Sequence, residues 1–218
     1  MSSALLLKLV LITAFGGAFL TYVLGKLSSI IRDFFAVLVS CILIIIVVYL
    51  YGKPVKETFY LGVLGLPLVL RLNMLSWFFA LPVTGVGALS IIFSLRYIRK
   101  REKTDFYYMT MLLVNAGMLG IVLSGDLVSF YIFWEIMSWS AFLLISYNKG
   151  SALAAGMKYI IMSVVGSVAM LIGIISIYTN YGTVIISDIS THLASASSGY
   201  ILFLLILYFV AFGVKNAV

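Results

Sequence analysis

The sequence has little charge: Asp, Glu, Lys and Arg make up 10% of its 218 residues, against about 25% in ordinary soluble domains. It has a single cysteine, Cys41, set inside an apolar run, which excludes disulfides within the chain, CxxC redox pairs and thiolate metal sites. It has a single histidine, His192, in the Ser- and Ala-rich stretch 189–199. That stretch reads as an external loop, where a lone imidazole is ordinarily solvated. There is no internal repeat, no low-complexity tract, no linker between two domains and no cofactor-binding motif. What is abundant is apolar: 64% hydrophobic residues and a mean hydropathy of +1.21. A soluble core cannot hide that much apolar surface, so the composition excludes a soluble catalyst and leaves an integral membrane protein. The formal charge of +7 does not point to nucleic acid, because the cations sit in short clusters between apolar runs and not on one folded face.

Charge-poor runs predict an all-α polytopic bundle of about seven spans, at residues 5–24, 34–51, 75–95, 106–123, 127–145, 157–178 and 200–218. The first run is long for a signal-peptide core and lacks a small-x-small cleavage site, so it reads as a retained span. The stretch 52–71 is apolar but broken by Gly62, Gly65 and Pro67 and carries Lys53, Lys56 and Glu57. It reads as an interfacial excursion, a hairpin, with a second short span as the alternative. Lys26, Arg32, Arg96, Arg99, Lys100, Arg101, Lys103, Lys149 and Lys158 follow odd-numbered spans, whereas Lys8, Lys53, Lys56 and Arg71 fall on the other side. This bias predicts cytoplasmic odd-numbered loops and an external N-terminus, in the cell (inner) membrane.

Most charged residues fall in loops or at span ends, where long side chains reach water. Two do not. Glu135 is the ninth residue of the span 127–145, close to the midplane, and Lys215 stands in the last apolar run. An isolated ion at that depth costs at least about 2.5–3.5 kcal/mol, so each needs a partner, a water-filled path or neutralisation. Both are candidates for an ion pathway. The structural alternative for Glu135 is a carboxyl hydrogen-bonded to Ser129, Ser138 or Ser140, gluing helices together. For Lys215 it is snorkelling to the surface. Lys158, two residues into its span, and Asp126, at the external mouth between spans four and five, are weaker candidates. The first reads better as a snorkelling lysine and the second as a helix cap. A Glu/Lys pair in lipid would act as an electrostatic switch, because burial disfavours both charges while pairing restores them.

The stretch from Leu123 to Ile145, LSGDLVSFYIFWEIMSWSAFLLI, resembles the fourth-to-fifth helix junction of the antiporter-like subunits found in respiratory complex I, membrane-bound hydrogenases and Mrp cation/proton antiporters. The Phe133-Trp134-Glu135 triplet is its most specific part. Ala154-Ala-Gly-Met-Lys-Tyr159 resembles the family's Ala-x-x-Lys-Tyr/Phe segment opening the next span, and Gly213-Val-Lys-Asn-Ala217 resembles its Gly-x-Lys-x-Ala segment. Arg71-Leu-Asn-Met-Leu-Ser76 is similar to the opening of the third helix, with Asn73 where Asp is usual. The resemblance covers residues 70–218 and implies that Glu135 and the buried seventh-helix Lys215 lie on a proton path. It divides the chain into leading helices with the excursion (1–100) and a partial first repeat of helices four to seven (101–218). Family members have about fourteen spans with inverted repeats. The resemblance therefore implies a split subunit or a half channel, with another polytopic subunit supplying the second repeat.

Three functions follow as expectations. One is ion translocation, of protons or sodium, as a membrane subunit of a redox-driven pump or a cation/proton antiporter. The others are an independent secondary transporter and a non-conducting scaffold. The Glu135/Lys215 pair argues against the scaffold and the incomplete repeat against the independent transporter. No redox or catalytic centre is expected in this chain. Iron–sulfur or other redox centres would sit in partner subunits, in a peripheral redox arm where the assembly carries one.

Overall fold

The computed structural model describes residues 3–60, 67–98 and 101–215. In chain order the elements are α1 (Ser3–Leu27), α2 (Ser29–Tyr49), β1 (Val55–Tyr60), β2 (Pro67–Leu72), α3 (Met74–Tyr97) and α4 (Thr104–Leu123). They continue with α5 (Leu127–Ile145), a 3-10 turn (Ser146–Asn148), α6 (Ser151–Tyr181), α7 (Ile186–Leu193) and α8 (Ser198–Lys215). All the α-helices but α7 are long and apolar enough to cross a membrane, giving seven spans among the described residues. Each coincides with a predicted run.

The stretch 52–71 contains the favoured hairpin and not the alternative second span: β1 and β2 pair antiparallel, with Val55 opposite Leu72 and Thr58 opposite Val69. Gly62 and Gly65 lie outside the described residues. Two details depart from the sequence reading. Helix α6 starts at Ser151, two turns earlier than expected, because Ala152, Leu153, Ala154 and Ala155 are all strong helix formers. At 31 residues it is roughly 46 Å long, half again the thickness of the hydrocarbon layer, so it tilts or projects into the headgroups. The expected external loop begins with helix α7. Ile186, Ile189 and Leu193 recur at helical spacing among exposed Ser and Thr residues, and Ile189 packs with Ile177 of α6 and Leu204 of α8. Composition alone suggested a loop; the spacing of three apolar residues makes a helix.

Helix α4 is the central element, packed against α1, α3 and α5. Leu7, Val10 and Ala14 of α1, Leu43 of α2 and Leu112, Ala116 and Leu119 of α4 form the main core. The contact with α5 requires two glycines. A Cβ on Gly120 would lie 2.3 Å from the Phe133 ring, and one on Gly117 would lie 2.8 Å from Met137. With Phe133 and Met137 turned to α4, Trp134 and Ser138 sit about 100° further round the helix and face α6 and α8. Four buried hydroxyls inside the spans are satisfied by their own helix: Thr21, Ser40, Thr84 and Ser138 donate to carbonyls four residues earlier.

The junction between α4 and α5 is clamped from both sides. The Gly125 N–H donates to the Val69 carbonyl at 2.7 Å, and the Leu127 N–H to the Val184 carbonyl at 2.9 Å. The Asp126 carboxylate, fully buried, accepts from the Ser129 N–H at 2.7 Å, the Ser129 hydroxyl at 2.5 Å and the Val69 N–H at 2.6 Å. Asp126 thus caps α5 and ties it to the hairpin.

Candidate functional site

Trp134, Glu135 and Ser138 on α5, Tyr159 and Ser163 on α6, and Lys215 on α8 converge inside the bundle. Lys215 does not turn to the surface. Its ammonium donates to the Ser138 hydroxyl at 2.6 Å, the Tyr159 hydroxyl at 2.7 Å and the Ser163 hydroxyl at 3.4 Å. It also lies 5.4 Å from the centre of the Trp134 ring and 5.0 Å from that of Tyr159, within cation–π range. Three ammonium protons therefore meet three oxygen acceptors and two aromatic faces. Ser138 spends its own proton on the Trp134 carbonyl at 2.7 Å, which leaves its lone pairs for the ammonium. Trp134 is held in turn by Phe130 and Phe212, with ring centroids at 5.8 and 5.6 Å.

Glu135 is close enough to act electrostatically on Lys215, yet among the described residues no ion pair joins them. Its Oε1 is buried without a hydrogen-bond partner. The direct Glu135/Lys215 pair expected from sequence is therefore replaced by a lysine held on neutral hydroxyls beside a carboxyl left unbonded. The helix-gluing alternative for Glu135 loses all three of its serines: Ser129 donates to Asp126, Ser138 to Trp134 and Ser140 to Ile136. The cradle of Ser138, Tyr159 and Ser163 was not identified from sequence, although Tyr159 closes the quoted Lys-Tyr segment and Ser163 follows it by one helical turn.

The remaining candidates lie elsewhere. Lys158 is exposed, beside exposed Met157 and Ile161 on the outer face of α6. Asp126 has its oxygens occupied by the three donors of its cap, and the structure gives it a clamping place at the α4–α5 junction. His192 stacks on Tyr181 at 5.1 Å.

Helices α6 and α8 approach closely where a Cβ on Gly166 would lie 3.1 Å from the Ala211 carbonyl. Along this contact the Ser167 and Tyr208 hydroxyls are buried without partners. Farther along, Ser176 donates to the Tyr200 hydroxyl at 3.2 Å. The fold and site define a polytopic membrane protein with an ionisable residue folded inward among buried polar atoms, the kind of arrangement that marks a candidate ion site.

Residues 124–218 match the family model described as NADH:quinone oxidoreductase/Mrp antiporter, TM, and residues 59–108 match the one described as NADH-Ubiquinone oxidoreductase (complex I), chain 5 N-terminus. The Na(+)/H(+) antiporter subunit A1 of Staphylococcus haemolyticus (strain JCSC1435) is 37% identical over 129 residues, which is 58% of this chain and 16% of that protein. The chain thus spans about a sixth of the length of such curated relatives. A chain of the Mrp complex from Dietzia sp. DQ12-45-1b superposes with a TM-score of 0.87 at 26% identity, over 96% of this chain and 23% of that one. A chain of the membrane-bound sulfane sulfur reductase, an archaeal respiratory membrane complex, gives 0.85 at 28% identity, over 96% and 34%. Respiratory complex I from Thermus thermophilus shares the fold, with a TM-score of 0.77 at 17% identity. The chain belongs to the antiporter-like family of integral membrane subunits.

Proposed function

We propose that this chain translocates ions, protons or sodium, as one membrane subunit of a larger assembly of the cation/proton antiporter or redox-driven pump type. The observation that carries the reading is Lys215, an ammonium inside a span held by three hydroxyls within electrostatic reach of the half-buried Glu135, whose Oε1 is buried without a hydrogen-bond partner. Hydroxyl acceptors solvate an ammonium but do not neutralise it, so the charge of Lys215 responds to the state of Glu135. A proton arriving at Glu135, or a cation replacing it, changes how firmly Lys215 keeps its own proton. In this reading the site passes charge between the two residues.

The lysine- and arginine-rich loops face the cytoplasm and the N-terminus lies outside, as the loop bias favours. Partner subunits are polytopic, in keeping with the multi-subunit membrane complexes that supply the structural neighbours. Any redox centre sits in a partner. Gentle purification should recover the chain with at least one other polytopic subunit.

The direct test is Glu135→Gln, which keeps size and hydrogen-bonding capacity but removes the charge. The variant should insert and assemble normally and lose roughly tenfold or more of ion uptake in inverted vesicles, the equivalent of about 1.4 kcal/mol or more in the rate-limiting barrier. Uptake at the wild-type rate with normal assembly would refute the assignment.

A further inference from the structure

Away from the Glu135/Lys215 site, on the face that carries most of the Lys and Arg residues, a cavity of about 790 Å³ opens among the ends of α1, α4 and α5 and the turn before α6. We propose that it binds the phosphate of an anionic membrane phospholipid. Lys26, Arg101, Lys103 and Lys149 line it, with Glu102 and Asp105 as the acidic residues. Lys26 pairs with Asp105. No ion pair among the described residues engages Arg101, Lys103 or Lys149. Three cations therefore face one uncommitted carboxylate, and the cavity is net positive.

The backbone carries the second observation. Lys103 and Lys149, each with φ of +54°, are the two non-glycine residues with left-handed backbone among the described residues, and both line this cavity. That conformation is unfavourable for a residue with a Cβ, and glycine or asparagine usually fills it. Membrane topology requires only cations somewhere in a loop. It does not require them at two strained positions around one cavity. Strain of this kind gathers at ligand-binding sites. The Ser146 hydroxyl, a further part of the lining, is buried without a hydrogen-bond partner.

Depth and walls select a lipid over a free anion. The cavity sits where three candidate spans end, at headgroup level, and its walls include Tyr22, Phe106 and Leu143. Aromatic and apolar walls below a ring of cations suit a phosphodiester whose acyl chains continue down the bundle. A volume of this size is ample for a glycerophosphate headgroup.

The test uses the full chain, with whatever subunits it co-purifies, and the variant Lys103→Gly/Lys149→Gly. Glycine removes both ammonium groups while favouring the observed backbone, so folding is not put at risk. Native mass spectrometry should show phosphatidylglycerol retained on the wild type at concentrations where the double variant keeps little, with apparent affinity falling about fivefold for each lysine lost. Phosphatidylglycerol should raise the melting temperature of the wild type in detergent, and phosphatidylcholine or millimolar inorganic phosphate should not. In phosphatidylcholine alone the variant should melt no lower than the wild type. Equal retention of phosphatidylglycerol by both proteins would overturn the proposal. So would a melting shift reproduced by inorganic phosphate, which would mark a free-anion site.

Discussion

The two halves of the bundle treat charge in opposite ways. In the block of α1 to α4 and the hairpin, charges near the core are neutralised by charges. Lys26 pairs with Asp105, Lys8 with Glu57 at 3.1 Å and Arg32 with Asp33 at 2.7 Å. Arg32, itself buried, also donates to the Thr104 hydroxyl and lies over the Tyr108 ring. In the block of α5, α6 and α8 the ammonium of Lys215 rests on hydroxyls, and Glu135, Trp134, Ser167 and Tyr208 each keep a buried polar atom unbonded. Only Arg32 and Asp105 of these side chains are buried, and for them the partner's opposite charge holds the charged form, because losing the partner would strand a buried ion. A lysine on neutral acceptors beside an unbonded carboxyl is free to change state. In the proposed reading the first block stays fixed and the second carries the changes of charge.

Lys215 offers the sharpest way to break that comparison, and the largest expected effect. If its proton must leave during each cycle, Lys215→Arg should stop transport nearly as fully as Lys215→Ala, because a guanidinium does not deprotonate. Assembly should survive in the arginine variant, since charge and donors remain. Ion uptake into inverted vesicles, read beside subunit incorporation, decides the matter. An arginine variant that transports normally would make Lys215 as fixed as Arg32 and erase the contrast between the halves.

The next effect is on stability, at the seam between the blocks. Asp126→Ala removes the cap of α5 and leaves the Val69 N–H without its acceptor, a loss of about 2–4 kcal/mol. The melting temperature should fall and the α4–α5 junction should become a protease site. Asp126→Asn, which keeps an acceptor, should recover most of the loss. Equal damage from Asn and Ala would point to the charge of Asp126 and revive its reading as an ion-entrance group.

How legible these features were depends on what each signal reports. The spans could be read because lipid demands long apolar runs regardless of partners. Asn73 illustrates a local rule: it caps α3, accepting from the Ser76 N–H at 2.7 Å. Glu135 and Lys215 stood out because charge in lipid is costly wherever it sits. The cradle of Ser138, Tyr159 and Ser163 did not stand out. Serine and tyrosine are ordinary in membrane helices, and only the rotation of α5, set by Gly117 and Gly120 against Phe133 and Met137, aims them at Lys215. That rotation is a tertiary fact with no local signature.

A smaller effect sharpens the role of that cradle. Tyr159→Phe removes one of the two short hydrogen bonds to Lys215 and keeps the ring beneath the ammonium. Transport should fall several-fold, in keeping with about 1–2 kcal/mol for a hydrogen bond to a charged group, while assembly stays normal. An unchanged rate would mean that Ser138 and Ser163 suffice to hold the lysine.

The smallest effect is expected at Lys158. The sequence places it in the same Lys-Tyr segment as Tyr159 and makes it a weaker pathway candidate, with snorkelling the favoured reading. In the structure the two neighbours diverge: Tyr159 turns inward to Lys215, while Lys158 lies exposed with Met157 and Ile161. An exposed ammonium on the outer face of a span reaches the headgroups through its flexible stem. Lys158→Gln should therefore leave ion uptake within about twofold of the wild type, because a surface substitution away from packed groups shifts energies by about 0.5 kcal/mol or less. Lys158→Arg should be indistinguishable from wild type, the reverse of what is expected at Lys215. A tenfold loss in the glutamine variant, with assembly intact, would show that a partner subunit covers this face and completes a second titrating site there.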